Sequence, residues 1–404
     1  MKIQASLFIF TLLLLSQAQS QHLSDDQIKE LVNDSFVEIC QKYNYPVETH
    51  KITTQDGYIL TYYRIQRPGT QIVSKLPVVY LQHGLVDSSF DFIINEVAKA
   101  PGFILANQGF DVWMGNSRGN DQSLEHVSLN WQTDPAYWDF SWQEMSKYDL
   151  PAAFSYIANV TQAEKIDYIG HSQGTSIMFA SLSEKDPIVS KYLGKFIAMG
   201  PVAYVNHADA MFLGLIKKIE LTALLHQFNI NYVMMPNEKV NSFAQLVCQY
   251  FPNFCGLFDQ ALANFDPQTD NLNRFKVILG HYPTSTSSKT IEHWQQMLNN
   301  KKDASMKKFN YGLIGNLKKY GSINAPEYDI SSITQKVYLV AGAYDRIADI
   351  TDATLLHNKL QNSEMYVIKG GHGTFMWAND ISFFYQIVTP ILHNQTPLVP
   401  PASS

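Results

Sequence analysis

The residues in this chain best placed to do chemistry form the pentapeptide Gly170-His171-Ser172-Gln173-Gly174. It follows the apolar run Ile166-Asp167-Tyr168-Ile169 and precedes a helix-forming stretch, Thr175 to Leu182. That setting predicts a strand, a sharp turn and a helix, with the serine at the apex. Glycines on both flanks allow the turn without a Cβ clash. The hydroxyl is then held clear of the sheet, and the helix N-terminus favours negative charge developing beside it. Nucleophilic attack on a carbonyl needs this arrangement. A chance G-x-S-x-G in a loop would lack the strand before it and the helix after it.

A serine hydroxyl is a weak nucleophile at its own pKa and needs a base within hydrogen-bond reach. The base needs an acid to fix its tautomer and offset the imidazolium charge. Where the serine sits on a strand-to-helix turn, the partners follow in the order serine, acid, histidine. Asp345 follows the apolar run Val337-Tyr338-Leu339-Val340 and the bend Ala341-Gly342-Ala343-Tyr344, so it is the candidate acid. Asp349 and Asp352 are its near rivals. His372 lies in Gly370-Gly371-His372-Gly373, just past a second apolar run ending at Ile368, and is the candidate base. His83 and His171 precede the serine and His281 precedes the acid, so all three break the order. The oxyanion of a tetrahedral intermediate needs donors as well, and losing one costs about 3 kcal/mol of barrier. The candidates are the backbone N–H of Gln173 and that of Leu85. Leu85 follows His83-Gly84 at the end of the run Leu76 to Gln82, where Gly84 permits a tight path.

These residues need a frame. Val47 to Thr53 and Tyr58 to Ile65 flank Asp56-Gly57, a hairpin turn pattern. Strands are expected at Leu76–Gln82, Phe110–Met114, Ile166–Ile169, Phe196–Met199, Lys336–Ala341 and Glu364–Ile368. Helices are expected at Ile93–Asn107 and Met145–Asn159, with Pro151 either kinking the second or marking its true start. Alternation of this kind predicts an α/β fold: a mostly parallel sheet with helices on both faces. The first part of that core is residues 21–202, and the rhythm resumes in residues 330–396. Between them, Ala203 to Asp329 carries amphipathic helical pieces, such as Ala208–Gln227 and Ser288–Asn299, and no clear buried strand. A helical insertion there is expected to cap the catalytic face. Residues 397–404 read as a frayed tail.

Hydrophobic residues make up 46% of the 404, enough for a large core and against disorder. The net charge is −6 with no basic block, which argues against nucleic acid as a partner. Aromatics, at 13%, suit a core or an apolar substrate pocket. Residues 1–20 read as a signal peptide: Lys2 is the positive end, Leu7 to Leu15 the apolar stretch, and Ala18-Gln19-Ser20 the small residues at cleavage. No later stretch has the length and apolarity of a membrane span. Asn33, Asn159 and Asn394 open N-x-S/T sequons, each weak by itself, the last followed at once by Pro397. Cys40, Cys248 and Cys255 make no disulfide framework. Cys40 is expected to stay unpaired. Cys248 and Cys255 are either a small bridged loop or two buried thiols.

With these residues in place, the chain resembles the acid lipase family, the group of gastric and lysosomal acid lipases, from about Tyr45 to Ile391. The matching stretches include Asp56-Gly57-Tyr58-Ile59-Leu60, Leu81-Gln82-His83-Gly84-Leu85 and Asp111-Val112-Trp113-Met114-Gly115-Asn116-Ser117-Arg118-Gly119-Asn120. Others are Tyr148-Asp149-Leu150-Pro151-Ala152, Gly170 to Thr175, and His372-Gly373-Thr374-Phe375-Met376-Trp377. The family's G-x-x-D-x-x-A-D falls on Gly342 to Asp349 and selects Asp345 over Asp349. The resemblance implies an α/β-hydrolase core with an inserted cap and lid. It implies hydrolysis of triacylglycerols or cholesteryl esters at a lipid–water interface, often at acidic pH, in a glycosylated protein that is secreted or lysosomal. It places the oxyanion donors on Leu85 and Gln173. It also implies that Cys248 and Cys255 are the family's bridged pair, although their spacing departs from the family's. The cap matches less well than the core, so the acyl preference is open.

The implied cycle requires no metal and no organic cofactor. Two other readings fit the same residues. One is a short-chain carboxylesterase or thioesterase of the same fold. The other is a lipid carrier that kept the fold without the chemistry, against which the intact set of Ser172, Asp345, His372, Leu85 and Gln173 argues. The oligomeric expectation is a monomer.

Overall fold

A computed structural model describes residues 24–234, 268–300 and 304–402. Residues 1–20 and the pair Cys248 and Cys255 lie outside them.

The frame is one nine-stranded sheet. Its strands are β1 (Val47–Thr53), β2 (Tyr58–Ile65), β3 (Val78–Gln82), β4 (Asp111–Gly115), β5 (Glu125–His126), β6 (Ile166–His171) and β7 (Leu193–Met199). A separate pair in the insertion, β8 (Tyr232–Val233) and β9 (Thr286–Ser287), is antiparallel. The main sheet ends with β10 (Val337–Gly342) and β11 (Ser363–Ile368). Its order is β1-β2-β4-β3-β6-β7-β10-β11, with β5 beside β2. From β4 to β11 the pairing is parallel, and β1 and β2 are antiparallel additions at one edge.

Parallel strands are buried on both faces, so they read as unbroken apolar runs. All five residues of β3 are buried. Val78 and Tyr80 pack into the core on one face, Val79 and Leu81 into that on the other. β6 and β10 divide their side chains in the same period of two. Every parallel strand thus ends its run on one rim of the sheet, where the loops after β3, β6, β10 and β11 meet.

Several elements differ from expectation. The helix expected over Ile93–Asn107 covers only Pro101–Asn107. Proline opens a helix but disfavours helical backbone in the residue before it, and Ala100 is extended. The helix expected over Met145–Asn159 runs from Trp142 to Thr161, with a π turn over Met145–Asp149 leading into Leu150–Thr161. Pro151 sits in the first turn after that wide turn, where its missing N–H leaves no regular bond broken. Ala208–Gln227 is two helices, Met211–Ile216 and Ile219–Gln227. The carbonyls freed at the break are met by side chains of the helix Ser288–Asn299. Gln295 Nε2 donates to Ile216 O and Lys218 O, and Asn299 Nδ2 donates to Lys217 O. The segment read as a frayed tail donates two backbone hydrogen bonds, from Leu398 to Gln386 and from Ala402 to Met365.

Cys40 is a buried free thiol. Asn33, Asn159 and Asn394 are exposed. Among the described residues no helix is long and apolar enough to cross a membrane.

Candidate active site

Ser172 stands between β6 and the helix Gln173–Ser183 with φ 53° and ψ −121°. A non-glycine residue held there stores about 1–3 kcal/mol of strain, so its surroundings must over-determine it. They do: Ser172 N–H donates to Met199 O at 3.1 Å, and Ser172 O accepts from Thr175 N at 2.8 Å and Thr175 Oγ1 at 2.7 Å. The flanking glycines are demanded by space. A Cβ on Gly170 would lie 2.8 Å from the Gly174 carbonyl carbon, and one on Gly174 would lie 2.5 Å from Gln82 O and 2.9 Å from His83 O. Those oxygens belong to the end of β3 and cannot swing away. Gly174→Ala is therefore expected to lose about 3 kcal/mol of stability. Urea unfolding measures this, and an unchanged midpoint would show that the turn needs no glycine there.

His372, in the loop after β11, has Nδ1 2.8 Å from Asp345 Oδ2. Asp345, in the loop after β10, accepts Ile347 N–H at 2.9 Å and Ala348 N–H at 2.8 Å on Oδ1. With the carboxyl ionised, Oδ2 accepts as well, and the Nδ1 proton then belongs to the histidine, leaving Nε2 as the basic nitrogen. Burial by itself would raise the Asp345 carboxyl. The His372 ring and the two N–H groups overcome it and hold the carboxyl below its ordinary value. Burial would likewise lower His372, and the charge and hydrogen bond of Asp345 outweigh it and raise the imidazole above its ordinary value.

The rival acids have other work. Asp349 caps the helix Ile350–Lys359 through Thr351 N–H at 2.7 Å. Asp352 binds the His207 backbone N–H and Nδ1, both at 2.8 Å. His281 turns to Leu31 O at 2.7 Å and stacks on Phe90.

Ser172, His372, Leu85 and Gln173 line one cavity with mainly apolar walls, including Val202, Val205, Leu213, Ile216, Leu298 and Met376. As the first residue of its helix, Gln173 has a backbone N–H with no intrahelical acceptor. Its side chain meets the insertion: Trp294 Nε1 donates to Gln173 Oε1 at 2.7 Å. A residue of the helix Ser288–Asn299 thus holds a residue of the candidate oxyanion pair.

Chain order set aside two histidines that the structure places at the centre. His83 Nε2 accepts Ser117 N–H at 3.0 Å, and its Nδ1 donates to Gly84 O at 2.8 Å, so the ring clamps the loop carrying Leu85. His171 Nε2 donates to His372 O at 3.1 Å, bracing the loop of the candidate base. Asp87 also lines the cavity. His83 and His171 lie inside motifs quoted above and Asp87 two residues past Leu85, but nothing in the sequence shows what they hold.

The same residues are spanned by known families. The sequence pattern of the alpha/beta hydrolase fold matches residues 77–379, and that of the partial alpha/beta-hydrolase lipase region matches residues 36–96. The chain is 36% identical over 359 residues to gastric triacylglycerol lipase of Mus musculus, covering 86% of this chain and 89% of that protein. It is 35% identical over 356 residues to lipase lipl-1 of Caenorhabditis elegans, covering 84% and 86%. It is 34% identical over 344 residues to lipase member K of Homo sapiens, covering 83% and 84%. With a matched span that includes the loops of Ser172, Asp345 and His372, the chain belongs to the lipase family of α/β-hydrolases.

Proposed function

We propose that this chain is a serine ester hydrolase acting on neutral lipids, triacylglycerols or cholesteryl esters, at a lipid–water interface. Ser172 attacks the ester carbonyl while His372 Nε2 takes its proton. Asp345 orients His372 and offsets its charge. The N–H groups of Leu85 and Gln173 hold the oxyanion. His372 then protonates the leaving alcohol, and water, activated by the same ring, hydrolyses the acyl-enzyme. The protein's own side chains and amides supply every step. The observation that carries this reading is the single cavity in which Ser172, His372, Leu85 and Gln173 face apolar walls, with His372 hydrogen-bonded to a buried carboxylate. Those walls suit an acyl chain better than a polar substrate.

Purified protein is expected to hydrolyse emulsified triolein and cholesteryl oleate faster than dissolved nitrophenyl acetate, and a fluorophosphonate probe is expected to label Ser172. Faster turnover of the short ester would favour a carboxylesterase. No labelling at all would favour a carrier. The exposed asparagines Asn33, Asn159 and Asn394 support passage through the secretory pathway to an extracellular or lysosomal space.

A further inference from the structure

We propose that Asp91 is held as a neutral carboxylic acid that donates its proton to Asp87, and that this buried pair positions the loop carrying the Leu85 oxyanion donor. The inference rests on the hydrolase reading above.

Asp91 lies in the short 3-10 turn Ser89–Phe92 and is 1% exposed. Among the described residues neither of its carboxyl oxygens meets an N–H donor in hydrogen-bonding geometry. The group against it is a second buried carboxyl, that of Asp87. Two ionised carboxylates cannot share one dry site, and a single proton between them turns repulsion into a hydrogen bond. Burial, reinforced by the charge of Asp87 and the contact with it, pushes Asp91 far above the usual carboxylate range.

Asp87 is where that proton matters. Its Oδ2 accepts Gly84 N–H at 3.1 Å, and its carbonyl accepts Asn120 Nδ2 and Thr284 Oγ1, each at 2.6 Å. Between them Val86 is held at φ 54°, a conformation that a β-branched residue rarely adopts. A Cβ on Gly84 would lie 2.5 Å from Asp87 Oδ2 and 2.9 Å from Ser172 Cβ, so carboxylate and nucleophile press on the same residue. The strained loop keeps its shape because Asp87 grips one end of it. A hydrogen bond from Asp91 keeps that carboxyl aimed at the Gly84 N–H.

The titratable groups that face the pair come from four elements. His83 stands at the end of β3 and His171 at the end of β6. His372 follows β11, and Tyr282 follows the helix Phe275–His281. His171 Nδ1 lies 3.6 Å from Asp87 Oδ2, beyond a hydrogen bond, and has no other partner among the described residues. The Asp87 charge adds to the rise of His372 and opposes the fall that burial imposes on His83. The sign for stability follows from Asp91. The folded chain keeps this proton where the unfolded chain has lost it. Its contribution is complete below about pH 4 and drains away as pH rises toward the folded value.

The test compares the wild type with Asp91→Asn, which keeps an N–H donor toward Asp87, and Asp91→Leu, which keeps bulk without a donor. With a soluble nitrophenyl ester, Asp91→Asn is expected to retain kcat within about threefold. Asp91→Leu is expected to lose at least about tenfold in kcat with KM unchanged. The infrared difference spectrum, wild type minus Asp91→Asn, is expected to show a protonated carboxyl stretch at pH 7. The unfolding temperature of the wild type is expected to fall relative to that of Asp91→Asn as pH rises above about 4. Equal kcat in the two variants, or no protonated carboxyl at pH 7, would overturn the proposal. A wild type that neither hydrolyses the ester nor takes a fluorophosphonate label would instead overturn the hydrolase reading, and the infrared band would still decide the state of Asp91.

Discussion

Ser172→Ala and His372→Ala are each expected to lower kcat by about 10⁶-fold, and the double variant by no more than either. In the proposed cycle nucleophile and base act as one unit, so removing one leaves the other with nothing to do. What remains is catalysis by the oxyanion donors and by binding, about 10³-fold above water. Among the described residues Ser172 is the only serine that lines the cavity. The measurement is a steady-state rate on a nitrophenyl ester, with the fluorophosphonate adduct located by mass. A loss below about a hundredfold, or an adduct elsewhere, would place the nucleophile on another residue.

The frame was legible, and the candidate reacting groups could be picked out, because each depends on short-range physics. β3, β6 and β10 read as strands because both of their faces are buried, which forces continuous apolar runs. The turn at Ser172 could be read because close contact between Gly174 and the end of β3 admits no side chain, and that demand is written as a glycine. Asp345 and His372 follow buried strands, so chain order alone brings them to one rim.

The residues that hold this machinery in place were not legible. Chain order judges His83 and His171 as bases and discards them, whereas their work is to tie loops together. The pair Asp87 and Asp91 looks like two loop acids until the fold removes water from both. The break at Lys217-Lys218 is stabilised by Gln295 and Asn299, which lie far along the chain, so helical periodicity over Ala208–Gln227 cannot show it. The hydrogen bond from Trp294 to Gln173 joins two helices far apart in the chain in the same non-local way. Local pattern reports which residues could react, and tertiary contact decides which of them are aimed.

Asp345→Asn is expected to lower kcat by about 10⁴-fold although it changes one atom. The Ile347 and Ala348 N–H groups need an acceptor, so the amide carbonyl stays on them and the NH₂ turns toward His372. Two donors then face each other. The imidazole relieves this by moving its proton to Nε2, where it blocks abstraction from Ser172. The pH dependence moves too. In the wild type Asp345 raises His372, and kcat/KM should fall on the acid side as that raised group protonates. In the variant the charge and hydrogen bond of Asp345 are gone and the weaker Asp87 charge is left to oppose burial, so the acid limb of the residual activity should shift to lower pH. Stability follows the same two groups. The raised His372 stabilises the fold fully below about pH 6.5, and that share is lost as pH climbs through its folded value. The depressed Asp345 stabilises it above about pH 4, and that share is lost as pH drops through its folded value. The wild type should therefore exceed the variant in unfolding temperature most between about pH 4 and 6.5. An unmoved acid limb, or a loss of activity under tenfold, would detach Asp345 from His372 in the working enzyme.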